Sequence, residues 1–273
     1  METALRPTPP APVAAPKVAL VGAGPGDPAL LTLKARALIE AADVVIHDRL
    51  VSDGVLALAR AAATVLAVGK TPGGPSWRQA DINALMVAHA LTGARVVRLK
   101  SGDPGVFGRL DEEMDALDAA EIAFEIVPGV TAAAAAAASI RVSLTRRGRN
   151  KALRILTGHD VDGFAEHDWR GLAAPDAVAA LYMGLKAARF VQGRLMLHGA
   201  DPATPVTVVE NAARADEKVI AARLDRLPEA LAVAGVRGPA ILFIGLKPRG
   251  ALAALDDAAP STLSLALASG GWA

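Results

Sequence analysis

Two glycine-rich stretches carry the chemical promise of this 273-residue chain. The first, GAGPGDP over residues 22–28, follows the apolar run VALV. The second, SGDPGVFGR over residues 101–109, follows VVRLK. Without a Cβ, glycine lets a main chain come close to a ligand, and a glycine turn from strand into helix is where α/β proteins meet nucleotides. The dinucleotide pattern G-x-G-x-x-G is not met, however. Its third glycine, Gly26, comes one residue early, and Pro25 before it has no N–H to offer a pyrophosphate. Asp43 and Asp48 do lie near the distance at which that pattern places its acidic residue. A phosphate loop is excluded, because no Gly-Lys-Ser/Thr follows. The other reading is a tight turn with close backbone packing. In the second stretch Gly102, Gly105 and Gly108 free the main chain, and Asp103 presents a carboxylate of the kind that takes a ribose hydroxyl or an ammonium group. Gly-Asp-Pro is also a good turn in its own right.

The remaining composition narrows the chemistry. There is no cysteine, so disulfides, thiolate metal sites and cysteine nucleophiles are excluded. His47, His89, His159, His167 and His198 are scattered and form no metal-spaced pair, and no metal is expected. The 29 Lys and Arg balance 28 Asp and Glu to a net charge of +1, without the footprint of a general nucleic-acid binder. Apolar residues make up 52% of the chain and aromatics 3%. That suits strands buried on both faces against alanine-rich helices, and it leaves few rings for stacking bases. No apolar run approaches the ~20 residues of a membrane span, so neither membrane nor nucleic acid is an expected partner. Residues 1–16, METALRPTPPAPVAAP, read as a disordered leader without the apolar core of a signal peptide, and cytoplasm is the default compartment.

The elements that must hold these residues alternate. Strands are expected at Val18–Val21, Val44–His47, Thr64–Val68, Arg95–Leu99 and Phe124–Val127, with helices at Ala29–Glu40, Asp53–Ala59, Arg78–Leu91 and Arg109–Ala120. Such alternation argues for βαβ units and a mostly parallel sheet. The chain then changes character: Thr131 can cap a helix made almost wholly of alanine, and a basic loop runs from Arg141 to Lys151. Further strands are expected near Leu153–Leu156, Val178–Met183, Val206–Glu210, Lys218–Ala222 and Ala240–Ile244. The expected fold class is α/β, with an N-terminal domain over 17–130 and a C-terminal one over 131–248. Each holds a mostly parallel or mixed five-stranded sheet, and a flexible tail follows over 249–273.

The order of motifs says more than any one of them. VGAGPGDPALLTLKA, HDRLVS, VGK, RQADIN, RLKSGDPGVFGR, PGVTAA, SLTRRG, TGH, YMG, VVENA and GPAILFIG follow in register over about residues 17–247. In that order they resemble the tetrapyrrole (corrin and sirohaem) methyltransferase family. The resemblance implies a homodimeric two-domain α/β enzyme that methylates a small-molecule tetrapyrrole. Its cofactor, S-adenosylmethionine (SAM), would lie in a cleft between the domains rather than along a dinucleotide loop, and leave as S-adenosylhomocysteine. RQADIN and VVENA favour the members that methylate uroporphyrinogen III at C2 and C7 to give precorrin-2. Members acting on a later corrin intermediate, and a non-catalytic SAM-binding module, are the alternatives.

Carried over by position, the resemblance places Pro25, Ser101, Gly102, Asp103 and Val106 at the cofactor, with the main chain of Thr131 and Ala132 at its methionine end. It places Met183, Ala212, Pro239 and Ala240 around the adenosine; plain core packing is the competing reading of each. Asp48 and Lys70 match the family's acid–base positions, each just beyond an expected strand, where open parallel sheets gather ligands. A solvent-facing ion pair is the alternative. Arginine suits bidentate recognition of carboxylates, and Arg49, Arg109, Arg146, Arg147 and Arg149 are the candidates for the substrate's acetates and propionates. Gln79 and His159 are expected to shape the cleft, and His47 to be a buried strand residue. Three departures stand out. Ser101 replaces the first glycine of the usual Gly-Gly-Asp, which requires a negative φ there or a shifted loop; Arg146 replaces a histidine; and LDEE after Arg109 lacks the usual glycine pair.

Overall fold

The computed structural model describes residues 17–69, 77–249 and 262–263. The expected leader, Lys70 and most of the expected tail lie outside the described residues. The described chain divides into two compact units. One holds the residues up to Gly22 and Thr32–Gly129; the other holds Ala23–Leu31 and the residues from Val130 onward.

The first unit is built on a five-stranded sheet of β1 (Val18–Gly22), β2 (Val44–His47), β3 (Thr64–Ala67), β4 (Val96–Lys100) and β5 (Phe124–Val127), in the order β3-β2-β4-β1-β5. All pairings are parallel. The crossovers carry α1 (Leu33–Ala41), α2 (Asp53–Leu56), α3 (Gln79–Leu91) and α4 (Leu110–Ala119). Strands β1, β2 and β4 are buried throughout, which is why they read as continuous apolar runs rather than alternating ones. Val18, Leu20, Ile46, Met86 and Leu117 form the core on one face. The helix expected over Ala29–Glu40 is broken in two. A 3-10 turn, Pro28–Leu30, precedes α1, because Thr32 is extended and caps α1 by accepting from the Ala35 N–H.

An all-parallel sheet brings every strand's C-terminal end to one edge. Gly22, Asp48 and Arg49, Ser101–Asp103, and Pro128 with Gly129 therefore all emerge along the same rim of the first unit.

The second unit contains α5 (Ala132–Ser139), β6 (Arg154–Thr157), β7 (His159–Asp160), β8 (Gly163–Phe164), α6 (Trp169–Leu172), β9 (Ala179–Tyr182), α7 (Ala188–Leu197), β10 (Pro205–Glu210), β11 (Lys218–Arg223), α8 (Leu227–Val233), β12 (Ala240–Ile244) and β13 (Thr262–Leu263). Its sheet has six described strands, not five, in the order β13-β11-β10-β12-β9-β6. It is mostly antiparallel: only β6 and β9 pair in parallel. The connection 211–217 between β10 and β11 is too short for the crossover that parallel neighbours need, so the chain turns back as a hairpin. Strand β13 lies within the stretch expected as a tail and pairs with β11. The β7–β8 hairpin was not expected from the sequence. Alternate residues of β12 serve two cores. Leu242 and Ile244 join Leu181, Leu195 and Val208, whereas Ile241 and Phe243 pack against the alanines of α5.

Candidate active site

In the first unit three glycines cross at the rim. A Cβ on Gly22 would lie 2.6 Å from the Gly129 nitrogen and 2.7 Å from the Gly102 oxygen, and one on Gly129 would fall on that same oxygen. The end of β1, the turn after β4 and the turn after β5 thus touch main chain to main chain. Asp103 fastens two of them: Oδ1 accepts from the Gly105 N–H at 2.8 Å and Oδ2 from the Gly129 N–H at 3.0 Å. Gly102 is left-handed at φ +71°, whereas Ser101 has no positive φ, so the serine departs from the family pattern without backbone strain. Val106 lies half-buried on the same turn, its N–H bonded to the Asp103 carbonyl. Phe107 and Arg109 both stand at φ +53°, an uncommon conformation for side-chain-bearing residues that collects at functional turns.

Asp48 lies one residue past β2, partly exposed, and accepts at Oδ1 from Arg98 Nη2 at 2.5 Å. Arg98 also donates from Nε to Glu113 Oε1 at 2.9 Å, and Lys100 Nζ reaches that same oxygen at 2.9 Å. Gln79 Nε2 adds a longer bond to that oxygen at 3.3 Å, so the RQADIN glutamine joins this cluster. Burial, reinforced by the Arg98 charge, pushes the Lys100 ammonium below the usual lysine range, against the pull of Glu113. None of Arg98, Lys100 or Glu113 was singled out from the sequence; the available signal was two cations at alternate positions of an otherwise apolar strand, VVRLK. Arg49 is exposed beside Asp48, its Cβ packed where a Gly69 side chain would be. Arg109 forms a two-pronged pair with Glu112, both bonds 2.7 Å. His47 is buried, its Nδ1 bonded to the Asp48 carbonyl at 3.1 Å.

In the second unit, strand register gathers a different set. Glu210 pairs with Ala240 and Leu181 with Leu242, so Tyr182 and Met183, the 210–212 turn and Pro239 reach one edge of that sheet. The Asn211 N–H bonds the Pro239 carbonyl at 2.9 Å, and Arg214 Nε reaches the Pro25 carbonyl at 3.3 Å. Pro25, Ala212, Pro239 and Ala240 are therefore neighbours in one network. Glu210 Oε1 accepts the N–H groups of Arg237 and Gly238, at 2.7 and 2.5 Å. Burial raises the Glu210 carboxyl, but these two donors and the Lys218 ammonium outweigh it and hold it below the usual carboxylate range. Met183, Asn211 and Ala213 all have positive φ, at 52°, 53° and 57°.

Tyr182 ties this edge to α5. Its hydroxyl accepts from the Ala133 N–H at 3.0 Å and contacts Thr131 Oγ1. The helix is thus capped from another strand rather than by Thr131, whose side chain makes no cap bond. The N–H groups of Thr131 and Ala132 have no acceptor among the described residues. Tyr182→Phe removes the cap, and the expected cost is about 1 kcal/mol of stability, measurable by urea unfolding.

The basic loop behaves differently along its length. Arg146 and Arg147 are exposed, whereas Arg149 is spent on the loop itself, donating to Asn150 Oδ1 at 3.0 Å and to the Ser143 carbonyl at 2.6 Å. His159 Nδ1 meets the Met183 carbonyl at 3.0 Å. Among the described residues no group of three or more His, Asp or Glu could hold a metal ion, and no helix is long and apolar enough to cross a membrane.

Residues 17–228 match the model of the tetrapyrrole (corrin/porphyrin) methylases. The chain belongs to this family. It is 45% identical over 229 residues to the siroheme synthase of Methylococcus capsulatus, covering 84% of this chain and 48% of that protein. It is 46% identical over 244 residues to the siroheme synthase of Edwardsiella ictaluri, covering 88% and 52%. The chain therefore spans about half the length of the curated relatives it matches. Among solved structures, uroporphyrin-III C-methyltransferase from Thermus thermophilus, in complex with S-adenosylhomocysteine, superposes with TM-score 0.71 at 39% identity, covering 84% of this chain and 96% of that one. A cobalt precorrin-4 methyltransferase of cobalamin biosynthesis superposes with TM-score 0.76 at 31% identity, covering 84% and 94%.

Proposed function

We propose that this chain is a SAM-dependent C-methyltransferase that methylates uroporphyrinogen III at C2 and C7 to give precorrin-2. The observation that carries the reading is the gathering of the family's motif residues at one rim in each unit. The N–H groups of Thr131 and Ala132 lack acceptors among the described residues, which suits a carboxylate at the start of α5. The main chain of Ser101–Asp103, clasped to Gly129, and the Met183, Ala212 and Pro239–Ala240 edge complete the set assigned to the cofactor. Identity is higher to the uroporphyrin-III enzyme than to the precorrin-4 enzyme, although the latter's TM-score is higher. The identity weighs more for substrate choice, since a TM-score compares backbone traces and recognition rests on side chains.

When bound, SAM supplies an electrophilic methyl group. An electron-rich pyrrole carbon of the substrate would take that methyl as its bond to sulfur breaks and S-adenosylhomocysteine leaves, and the cationic ring would then shed a proton to settle as product. Asp48 is assigned to receive that proton. Lys70 is assigned to anchor or donate to the substrate, and Arg49, Arg109, Arg146 and Arg147 to its carboxylates. Arg149, committed to its own loop, is assigned to shaping that loop. The reading includes a homodimer in the cytoplasm, its assembly measurable by sedimentation of the full chain.

The test is an anaerobic assay with SAM and freshly generated uroporphyrinogen III, following tetrapyrrole mass. Two successive methyl increments are expected. No increment, with SAM still raising the melting temperature, overturns the substrate assignment. Methylation of a later corrin intermediate in a parallel arm would then support the precorrin-4-like reading.

A further inference from the structure

The charge cluster on β4 reaches solvent at Asp48. Arg98 and Lys100, two residues apart on β4, project from the same face of the sheet. Their side chains are 2% and 3% exposed and that of Glu113 is 0%, whereas Asp48 is 33% exposed. A buried ion pair is a weak device for stability, because the loss of hydration offsets most of the attraction. Two cations and two carboxylates nevertheless meet here, and the carboxylate at the open end is Asp48.

The guanidinium of Arg98 is held on several sides. Nε donates to Glu113 Oε1 at 2.9 Å, and Nη1 to the carbonyls of Leu99 and Ile46 at 3.2 and 3.4 Å. A planar fork held in this way cannot swing, and its remaining arm, Nη2, meets Asp48 Oδ1. Asp48 Oδ2 carries no hydrogen bond among the described residues. Arg98 therefore decides which carboxylate oxygen is engaged and in which direction the other is presented.

We propose that Arg98 is a positioning residue: it acts through Asp48, holding Oδ1 so that Oδ2 is left to receive the substrate's proton. This rests on the reading of Asp48 as the base.

The test compares Arg98→Met, Arg98→Lys, Asp48→Asn and the two double variants in the full-length chain. Turnover is followed by tetrapyrrole mass, S-adenosylhomocysteine affinity by calorimetry and folding by circular dichroism. Each Arg98 variant is expected to lower kcat about tenfold or more, leaving tetrapyrrole KM and S-adenosylhomocysteine Kd within about twofold. In the Asp48→Asn background the same changes are expected to add less than about twofold, because the group they act through is already lost. Arg98→Lys keeps a cation beside Glu113 and carries the test if Arg98→Met does not fold. An undiminished effect of Arg98 in the Asp48→Asn background, a weakened Kd with kcat intact, or loss of fold in both variants assigns Arg98 to structure and overturns the proposal. Wild-type kcat in Asp48→Asn alone overturns the base reading, and the proposal falls with it.

Discussion

Asp48→Asn is expected to lower the rate of tetrapyrrole methylation by about 10²- to 10⁴-fold, the range for removing a positioned general base, while S-adenosylhomocysteine still binds as it does to wild type. Asparagine keeps the shape of the side chain and an oxygen for Arg98 Nη2 to meet, but it cannot take a proton. The carboxylate sits one residue beyond β2, on the rim shared by the turns after β1, β4 and β5, with one oxygen engaged and one free of hydrogen bonds among the described residues. Because Asp48 is partly exposed, its loss does not open a cavity, and the folded state should survive. Single-turnover mass measurements with saturating SAM isolate the step. A loss of tenfold or less, with binding intact, would remove Asp48 from proton transfer.

The second large effect is structural in origin. Gly129→Ala places a methyl group on the Gly102 carbonyl and within 2.9 Å of the Gly22 Cα. All of these neighbours are backbone, so no side chain can rotate away. The turn after β5 has to withdraw, breaking the Gly129 N–H bond to Asp103 Oδ2. A cost of about 3 kcal/mol or more is expected, at the upper end for overpacking, measured by urea unfolding. Loss of S-adenosylhomocysteine binding should accompany it, because the same displacement disturbs the Ser101–Asp103 main chain. Wild-type stability in the Gly129→Ala variant would mean that the three-glycine crossing is looser than described.

The first unit was legible in the sequence because each of its strands announces itself. Val44–His47 and Phe124–Val127 appear with the expected ends, and the apolar runs at Val18 and Val96 have no helical period. Five of the second sheet's six described strands were legible, β13 being the exception, but their direction was not. Periodicity says nothing about whether neighbours run parallel; the short 211–217 connection, which only a hairpin can make, does. The β7–β8 hairpin, two residues on each side of the 161–162 turn, is too short to leave a pattern. Among the site residues, the glycine turns and Asp48 could be picked out by type and motif. Glu113, Tyr182 and Glu210 could not, because they act on main-chain groups and buried cations that only the folded chain brings to them.

Tyr182 has one more consequence, and it follows from its solitude. The chain contains a single tyrosine, and its hydroxyl bonds the Ala133 N–H at the first turn of α5. Fluorine-labelled tyrosine would therefore give one resonance per chain, placed by nature at that helix entrance. Any anion settling against the N–H groups of Thr131 and Ala132 changes the field at that ring. The protein thus carries its own spectroscopic reporter of α5's entrance, readable with no tetrapyrrole in the tube.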